Sequence, residues 1–210
     1  MSPAQALEQG LRELALEIPL PGRRQLLDYV ALLEKWNRTY NLTAVRDPLA
    51  MVSHHLLDSL AVVPHLPLSG EAPTIADIGS GAGLPGIPLA LARPQWRITL
   101  VEASQKKVAF LRQACLSLGL GNVTVHEGRV ELWRPQSLFT LVISRAFADL
   151  ARFIAACAHL VAPGGALAAM KGAYPGDELS RAPQGWDCAC VTRLPSPQLG
   201  AERHLVLCRA

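Results

Sequence analysis

Thr74-Ile75-Ala76-Asp77-Ile78-Gly79-Ser80-Gly81-Ala82-Gly83-Leu84-Pro85-Gly86 is the stretch on which the fold turns. Thr74–Ile78 has the length and apolar content of a short buried strand, and three alternating glycines follow it directly. Pro85 and Pro88 then fall where a helix begins, among backbone N–H groups that have no intrahelical partner in any case. Glycines in that setting let the chain turn sharply and let a bound molecule lie against the main chain with no Cβ in the way.

Working outward, the same strand-and-helix unit repeats. Pro85–Arg93 reads as helix and Arg97–Val101 as a second strand ended by Glu102. Ser104 is placed to cap a helix with Val108, Leu111, Cys115 and Leu118 on its inner face, and Gly119 closes it. Val123–His126 and Thr140–Ser144 read as the third and fourth strands, Asp149 to Leu160 as helix, Pro163-Gly164-Gly165 as a turn and Ala166–Met170 as a fifth strand. Two last strands, near Cys188–Thr192 and His204–Cys208, have no strongly periodic helix between them. Repeated β-α units give an α/β fold with a mainly parallel sheet, and the helix-free closing pair gives an antiparallel C-terminal hairpin.

Upstream of the loop the period is helical. Leu7, Leu11, Leu14 and Ile18 recur at three- and four-residue steps until Pro19-Leu20-Pro21-Gly22, which predicts a break. Leu26, Leu27, Val30, Leu33 and Trp36 form the stripe of a second helix, and Asp47-Pro48 can open a third. Pro64 to Pro73 links this segment to the sheet, so the expected division is a helical extension over 1–72 and a main domain over 73–210.

Composition limits the classes available. A chain of 210 residues with 50% hydrophobic and 18% charged residues can build a core and is not disordered. No apolar run approaches the roughly 20 residues that span a bilayer. Glu8, Glu13 and Glu17 also interrupt any signal-like start, so a cytoplasmic protein without membrane contact is expected. Five cysteines, with Cys115, Cys157 and Cys208 standing singly in apolar segments, predict reduced core thiols rather than disulfides. Cys188-Ala189-Cys190 lacks the spacing of a zinc site, and His54-His55 has no third ligand on its helix, so no metal is expected. Residues 73–165 hold nine Lys/Arg against five Asp/Glu, a basic middle that permits a polyanionic partner.

The loop can be read in two registers. Gly81-Ala82-Gly83-Leu84-Pro85-Gly86 fits the dinucleotide fingerprint G-x-G-x-x-G, with Glu102 at the spacing of a ribose-gripping carboxylate. Asp77 through Gly83 fits instead the acidic-x-G-x-G-x-G loop of S-adenosylmethionine methyltransferases, and Glu102 serves either molecule. A carboxylate at Asp77 suits a cationic amino group and crowds a pyrophosphate. With the closing hairpin, it favours methyl transfer over a nicotinamide-dependent oxidoreductase. The segment after the fourth strand, Ser144-Arg145-Ala146-Phe147-Ala148, has no Asn/Asp-Pro-Pro-aromatic loop for an exocyclic amine, and no cysteine follows a proline as a covalent nucleophile would. An acceptor already nucleophilic at neutral pH remains, such as a ring nitrogen. The expected catalysis is then in-line positioning with no dedicated catalytic side chain.

Asn41-Leu42-Thr43-Ala44-Val45-Arg46-Asp47-Pro48, His55-Leu56-Leu57-Asp58-Ser59-Leu60, the Asp77–Pro88 loop, Val101-Glu102, Lys106-Lys107, Val142–Ala148, Met170-Lys171-Gly172 and Glu202–Val206 occur in fixed order. Together they resemble the RsmG family, also called glucose-inhibited division protein B. The resemblance implies a Rossmann-like methyltransferase that modifies guanine N7 in the decoding-region (530) loop of 16S rRNA. It also implies a cofactor pocket with Gly79, Leu84, Val130, Glu131 and Arg145, to which the reading of the loop adds Gly81 and a ribose contact from Glu102. Small-subunit rRNA is the implied partner, and a monomer is expected.

Arg145, Lys171 and Arg203 border strand ends and are the chosen phosphate contacts, ahead of Lys106, Lys107, Arg112, Arg129 and Arg134. Phe147 is the chosen aromatic for stacking a flipped guanine, whereas Trp36 reads as core. A non-catalytic ribosome-binding protein on the same scaffold is the remaining rival, and an intact glycine loop argues against it.

Overall fold

The computed structural model describes every residue except Ser69, Ala146 and Ala148. Part of the Val142–Ala148 motif therefore lies outside the described residues. Two helices open the chain, α1 (Pro3–Glu13) and α2 (Leu20–Tyr40). A helical stretch follows as α3 (Pro48–Met51), a π-helical turn (Val52–Leu57) and α4 (Asp58–Leu60). The sheet is built from β1 (Thr74–Ile78), β2 (Arg97–Glu102), β3 (Val123–Glu127), β4 (Phe139–Ser144), β5 (Val161–Lys171), β6 (Asp187–Arg193) and β7 (His204–Arg209). Between them lie α5 (Gly86–Ala92), α6 (Gln105–Leu118), α7 (Leu150–Cys157) and α8 (Gly176–Leu179).

The strands stand in the order β3-β2-β1-β4-β5-β7-β6. All neighbours run parallel except β7, which is antiparallel to both β5 and β6. The α/β sheet with its C-terminal antiparallel hairpin is thus as expected, with β7 inserted inside the hairpin's edge strand.

Local details depart from the sequence pattern for identifiable reasons. Pro19–Gly22 opens α2 instead of breaking the chain, because prolines fit a first helical turn; the break falls at Ala15, whose φ is 49°. Pro163-Gly164-Gly165 lies inside β5, where the pairing with β4 shifts register. Ser104 occupies the N-cap of α6 without a side-chain cap bond; its N–H donates to Glu102 Oε1 at 2.8 Å instead. The expectation of reduced cysteines fails for two of them. Cys188 and Cys208 are disulfide-bonded, because the β6–β7 pairing brings residues 20 apart in sequence to a Cα separation of 4.1 Å.

Two cores flank the sheet. On one face Ile75, Leu100, Leu141 and Leu205 pack with Leu7, Leu26, Leu33, Leu56 and Phe110, so the N-terminal helices share a core with the sheet. On the other, Ile78, Val142 and Val206 meet Leu150, Phe153 and Cys157 of α7. The N-terminal helices therefore reach the glycine loop directly. The buried Tyr29 hydroxyl of α2 donates to Ala82 O at 2.8 Å.

Candidate functional site

The glycine turn leaves β1 at the carboxyl ends of the parallel strands, where open α/β sheets bind ligands. Gly79, Gly81 and Gly83 have φ of 67°, 61° and 90°, a left-handed region that other residues enter at a cost. At Gly83 a Cβ would also collide with the Ile87 side chain. Sterics thus select glycine here, and the backbone is left as the surface.

Asp77 decides between the two registers. It is fully buried beneath the turn, and its Oδ2 accepts the Gly86 N–H at 3.0 Å, at the first residue of α5. In a dinucleotide fold that helix start receives the pyrophosphate. Here the protein's own carboxylate occupies the place. Burial pushes the Asp77 carboxyl up to about 7, against the lowering pull of the Gly86 and Ser80 hydrogen bonds. Asp77 therefore braces the loop from below and borders none of the site's cavities.

Glu102, at the end of β2, faces the turn from the other side. Its Oε2 accepts the Gly81 N–H at 2.9 Å and its Oε1 the Ser104 N–H at 2.8 Å. Each oxygen keeps a lone pair for a further donor. Glu102 also borders a cavity of about 240 Å³ with Ile78, Gly79, Val101, Ala103, Gly128, Arg129, Val130, Glu131 and Phe147. A second cavity, about 200 Å³, lies across Gly79 and is formed by Leu42, Thr43, Ser80, Gly81, Ala82, Leu84 and Arg145. A third, about 390 Å³, is reached past Arg145 and Phe147 and includes Met170, Lys171, Gly172, Tyr174 and Glu178.

Gly79, Gly81, Leu84, Glu102, Val130, Glu131, Arg145, Phe147 and Lys171 are thus brought together around three adjoining cavities. Arg203 borders none of them. It donates from Nε to Asp58 Oδ1 at 2.6 Å, while Arg145 Nη1 donates to Asp58 Oδ2 at 3.1 Å and to His54 O at 3.1 Å. Asp58, with 3% of its side chain exposed, is the shared anion of both arginines. Lys171 is 8% exposed and gives hydrogen bonds to Glu178 Oε2 at 2.7 Å and Phe147 O at 3.2 Å. Phe147 lies against Phe153 with ring centroids 5.2 Å apart. Lys106, Arg129 and Arg134 are exposed, and Arg112 pairs with Glu127 at 3.1 Å.

Asp58, Thr43 and Glu178 are site residues that the sequence reading did not assign. Asp58 and Thr43 stand in the motifs that carried the resemblance, so their position was signalled but not their chemistry. Nothing in the sequence around Glu178 marks it.

The methyltransferase G model, described as rRNA small subunit methyltransferase G, matches residues 23–206. The chain belongs to that family. It is 52% identical over 204 residues to the ribosomal RNA small subunit methyltransferase G of Burkholderia thailandensis, covering 95% of this chain and 88% of the relative. The Burkholderia pseudomallei protein of the same name is 50% identical over the same shares. Solved structures agree on the fold. A SAM-dependent methyltransferase from Aquifex aeolicus superposes with a TM-score of 0.57 at 17% identity, over 83% of this chain and 96% of that one. One from Thiobacillus denitrificans in complex with S-adenosyl-L-homocysteine gives 0.55 at 13%, over 85% and 96%. The family member described here thus has the S-adenosylmethionine-dependent methyltransferase fold, and no helix among its described residues is long and apolar enough to cross a membrane.

Proposed function

We propose that this member of the family transfers the methyl group of S-adenosylmethionine to N7 of a guanine in the 530 loop of 16S rRNA, in line and without a covalent intermediate. The observation that carries the reading is the meeting of two cavities at Gly79, with Glu102 beside the turn. An elongated molecule with a ribose between a flat base and an amino-acid end fits that outline. When bound, S-adenosylmethionine supplies a sulfonium-activated methyl group.

The chain's own residues divide the remaining work. Val130 and Glu131 border the base side of the 240 Å³ cavity, and Glu102 has lone pairs for ribose hydroxyls. Gly81, Leu84 and Arg145 border the amino-acid side. The third cavity is the place for the acceptor base, because Arg145 and Phe147 connect it to the other two. Arg145, Phe147, Lys171 and Arg203 remain the residues assigned to RNA in this proposal, with Asp58 and Glu178 fixing the direction of the cations.

The thiols support a positioning mechanism. Burial pushes Cys115 up to about 11 and Cys157 up to about 12, so neither is a thiolate at neutral pH. No cysteine borders the three cavities. An acceptor nitrogen with an available lone pair needs neither a thiolate nor a base, only alignment.

The test incubates purified protein with methyl-labelled S-adenosylmethionine and unmodified 30S subunits, then maps the label by borohydride–aniline cleavage at N7-methylguanine. A single new cut in the 530 loop is expected. Labelled rRNA without a cut there would overturn the acceptor atom or the loop.

A further inference from the structure

The N-terminal segment reaches the amino-acid side of the cofactor cavity through one loop, and a hydrogen-bond count around Thr43 shows what that loop offers. Thr43 borders the cavity formed by Gly79, Gly81, Leu84 and Arg145. Its backbone is fixed from behind by Asn37, which is 2% exposed: Asn37 Oδ1 accepts the Thr43 N–H at 2.9 Å and Asn37 Nδ2 donates to Val45 O at 3.2 Å. The Thr43 hydroxyl oxygen accepts the Val45 N–H at 3.2 Å and lies 2.9 Å from His55 Nε2.

His55 is 4% exposed, and its Nδ1 has no hydrogen-bond partner among the described residues. Burial and the nearby Arg145 charge lower His55 to about 4, so the ring is neutral and carries one proton. The His54 carbonyl pulls the other way, but it already accepts from Arg145 Nη1 at 3.1 Å and makes no aligned hydrogen bond to Nδ1, so the proton sits on Nε2, directed at Thr43. Both acceptor positions of the Thr43 hydroxyl are then filled, by Val45 N–H and by His55 Nε2–H. Its own proton has no partner among the described residues and is left for the cavity.

We infer that Thr43 is a cofactor-binding residue, oriented by His55, whose hydroxyl donates a hydrogen bond to the carboxylate of the methionyl end of S-adenosylmethionine. The inference rests on the cavity reading made above. In that reading the adenosyl part lies on the Glu102 side, so the end that passes Gly79 carries one carboxylate and one ammonium. A hydroxyl committed to donation, beside the Arg145 guanidinium, selects the carboxylate.

Isothermal titration with S-adenosylmethionine, its decarboxylated analogue and 5′-methylthioadenosine tests this without any RNA. Thr43→Val is expected to weaken S-adenosylmethionine binding about ten-fold, the size of one hydrogen bond to a charged group. The decarboxylated analogue and methylthioadenosine should change less than two-fold, and Thr43→Ser should restore the wild-type preference. Equal losses for all three ligands would mean that Thr43 only shapes the loop, and no loss at all would remove it from the site; either result overturns the inference. Wild-type protein that binds none of the three would overturn the cavity reading itself, a separate failure.

Discussion

The two ends of the sheet carry cavities that differ in size and in content. At the amino ends of the strands an open groove of about 1400 Å³ runs past Thr74, Arg97, Thr99, Asn122, Thr124 and Leu138. Thr99 pairs with Thr124 on its floor, and the β3–β4 connection holds a 3₁₀ turn at Val130–Leu132 and no α-helix among the described residues. At the carboxyl ends the three cavities are far smaller, at about 200, 240 and 390 Å³. Yet the smaller group holds the positive-φ glycines, the bridging Glu102 and Arg145, whose partner Asp58 also holds Arg203. Volume alone marks a missing helix. Convergent donors and acceptors on a backbone that only glycine can supply mark a site.

That contrast can be broken by matched substitutions at the two ends. The largest effect is expected at Gly83→Ala, where a positive φ and collision with Ile87 add to about 3–4 kcal/mol of destabilisation. Gly121→Ala borders the amino-end groove with no atom near its would-be Cβ, and its urea midpoint should stay at the wild-type value. Equal shifts in the two unfolding curves would end the comparison.

Next in size is Asp58→Asn, which strips the shared anion from two arginines. Their side chains remain 28% and 25% exposed, so water recovers part of the loss and about 2–3 kcal/mol is expected, at or below the usual range for a broken buried pair. Chemical denaturation measures it, and Arg203→Lys, which keeps one charge near Asp58, should cost less.

A smaller change is expected from Glu102→Gln, which keeps the shape but trades one acceptor for a donor. Affinity for S-adenosylmethionine should fall about ten-fold, the size of a lost hydrogen bond to a charged group. Thr124→Ala in the amino-end groove should leave the same titration unchanged.

The subtlest effect is on pH dependence. Asp77 rises from 3.8 to about 7 in the fold, so the folded state holds a proton that the unfolded chain has released. Asp77 therefore takes stability away as pH climbs from about 4 to 7. His55 falls from 6.5 to about 4, so the unfolded chain binds the extra proton and stability grows with pH between those values. Asp77→Asn should thus gain on wild type steadily from pH 4 to 7 in urea titrations, and a constant difference between the two would show that Asp77 does not titrate there.

The sequence by itself determined the β1 strand, the glycine turn, the alternation of strands and helices and the helix-free closing hairpin. These follow from short-range causes: side-chain period, positive φ at glycine and proline at helix starts. It also named residues that meet around the cavities at Gly79, since Gly79, Gly81, Leu84 and Glu102 lie within one β-α-β unit whose geometry is local. Only the tertiary structure decided which charges are partnered. Arg145 and Arg203 look like open phosphate contacts in a linear reading, but Asp58 stands 87 and 145 residues away from them. Cys188 and Cys208 look like separate core thiols until β7 is laid against β6. Asp77 shows the same limit: it could be placed at the loop, but which way its oxygens face depends on Gly86. Hydrogen bonds and ion pairs in a core are set by which surfaces meet, and a chain's local pattern carries the surfaces without the meeting.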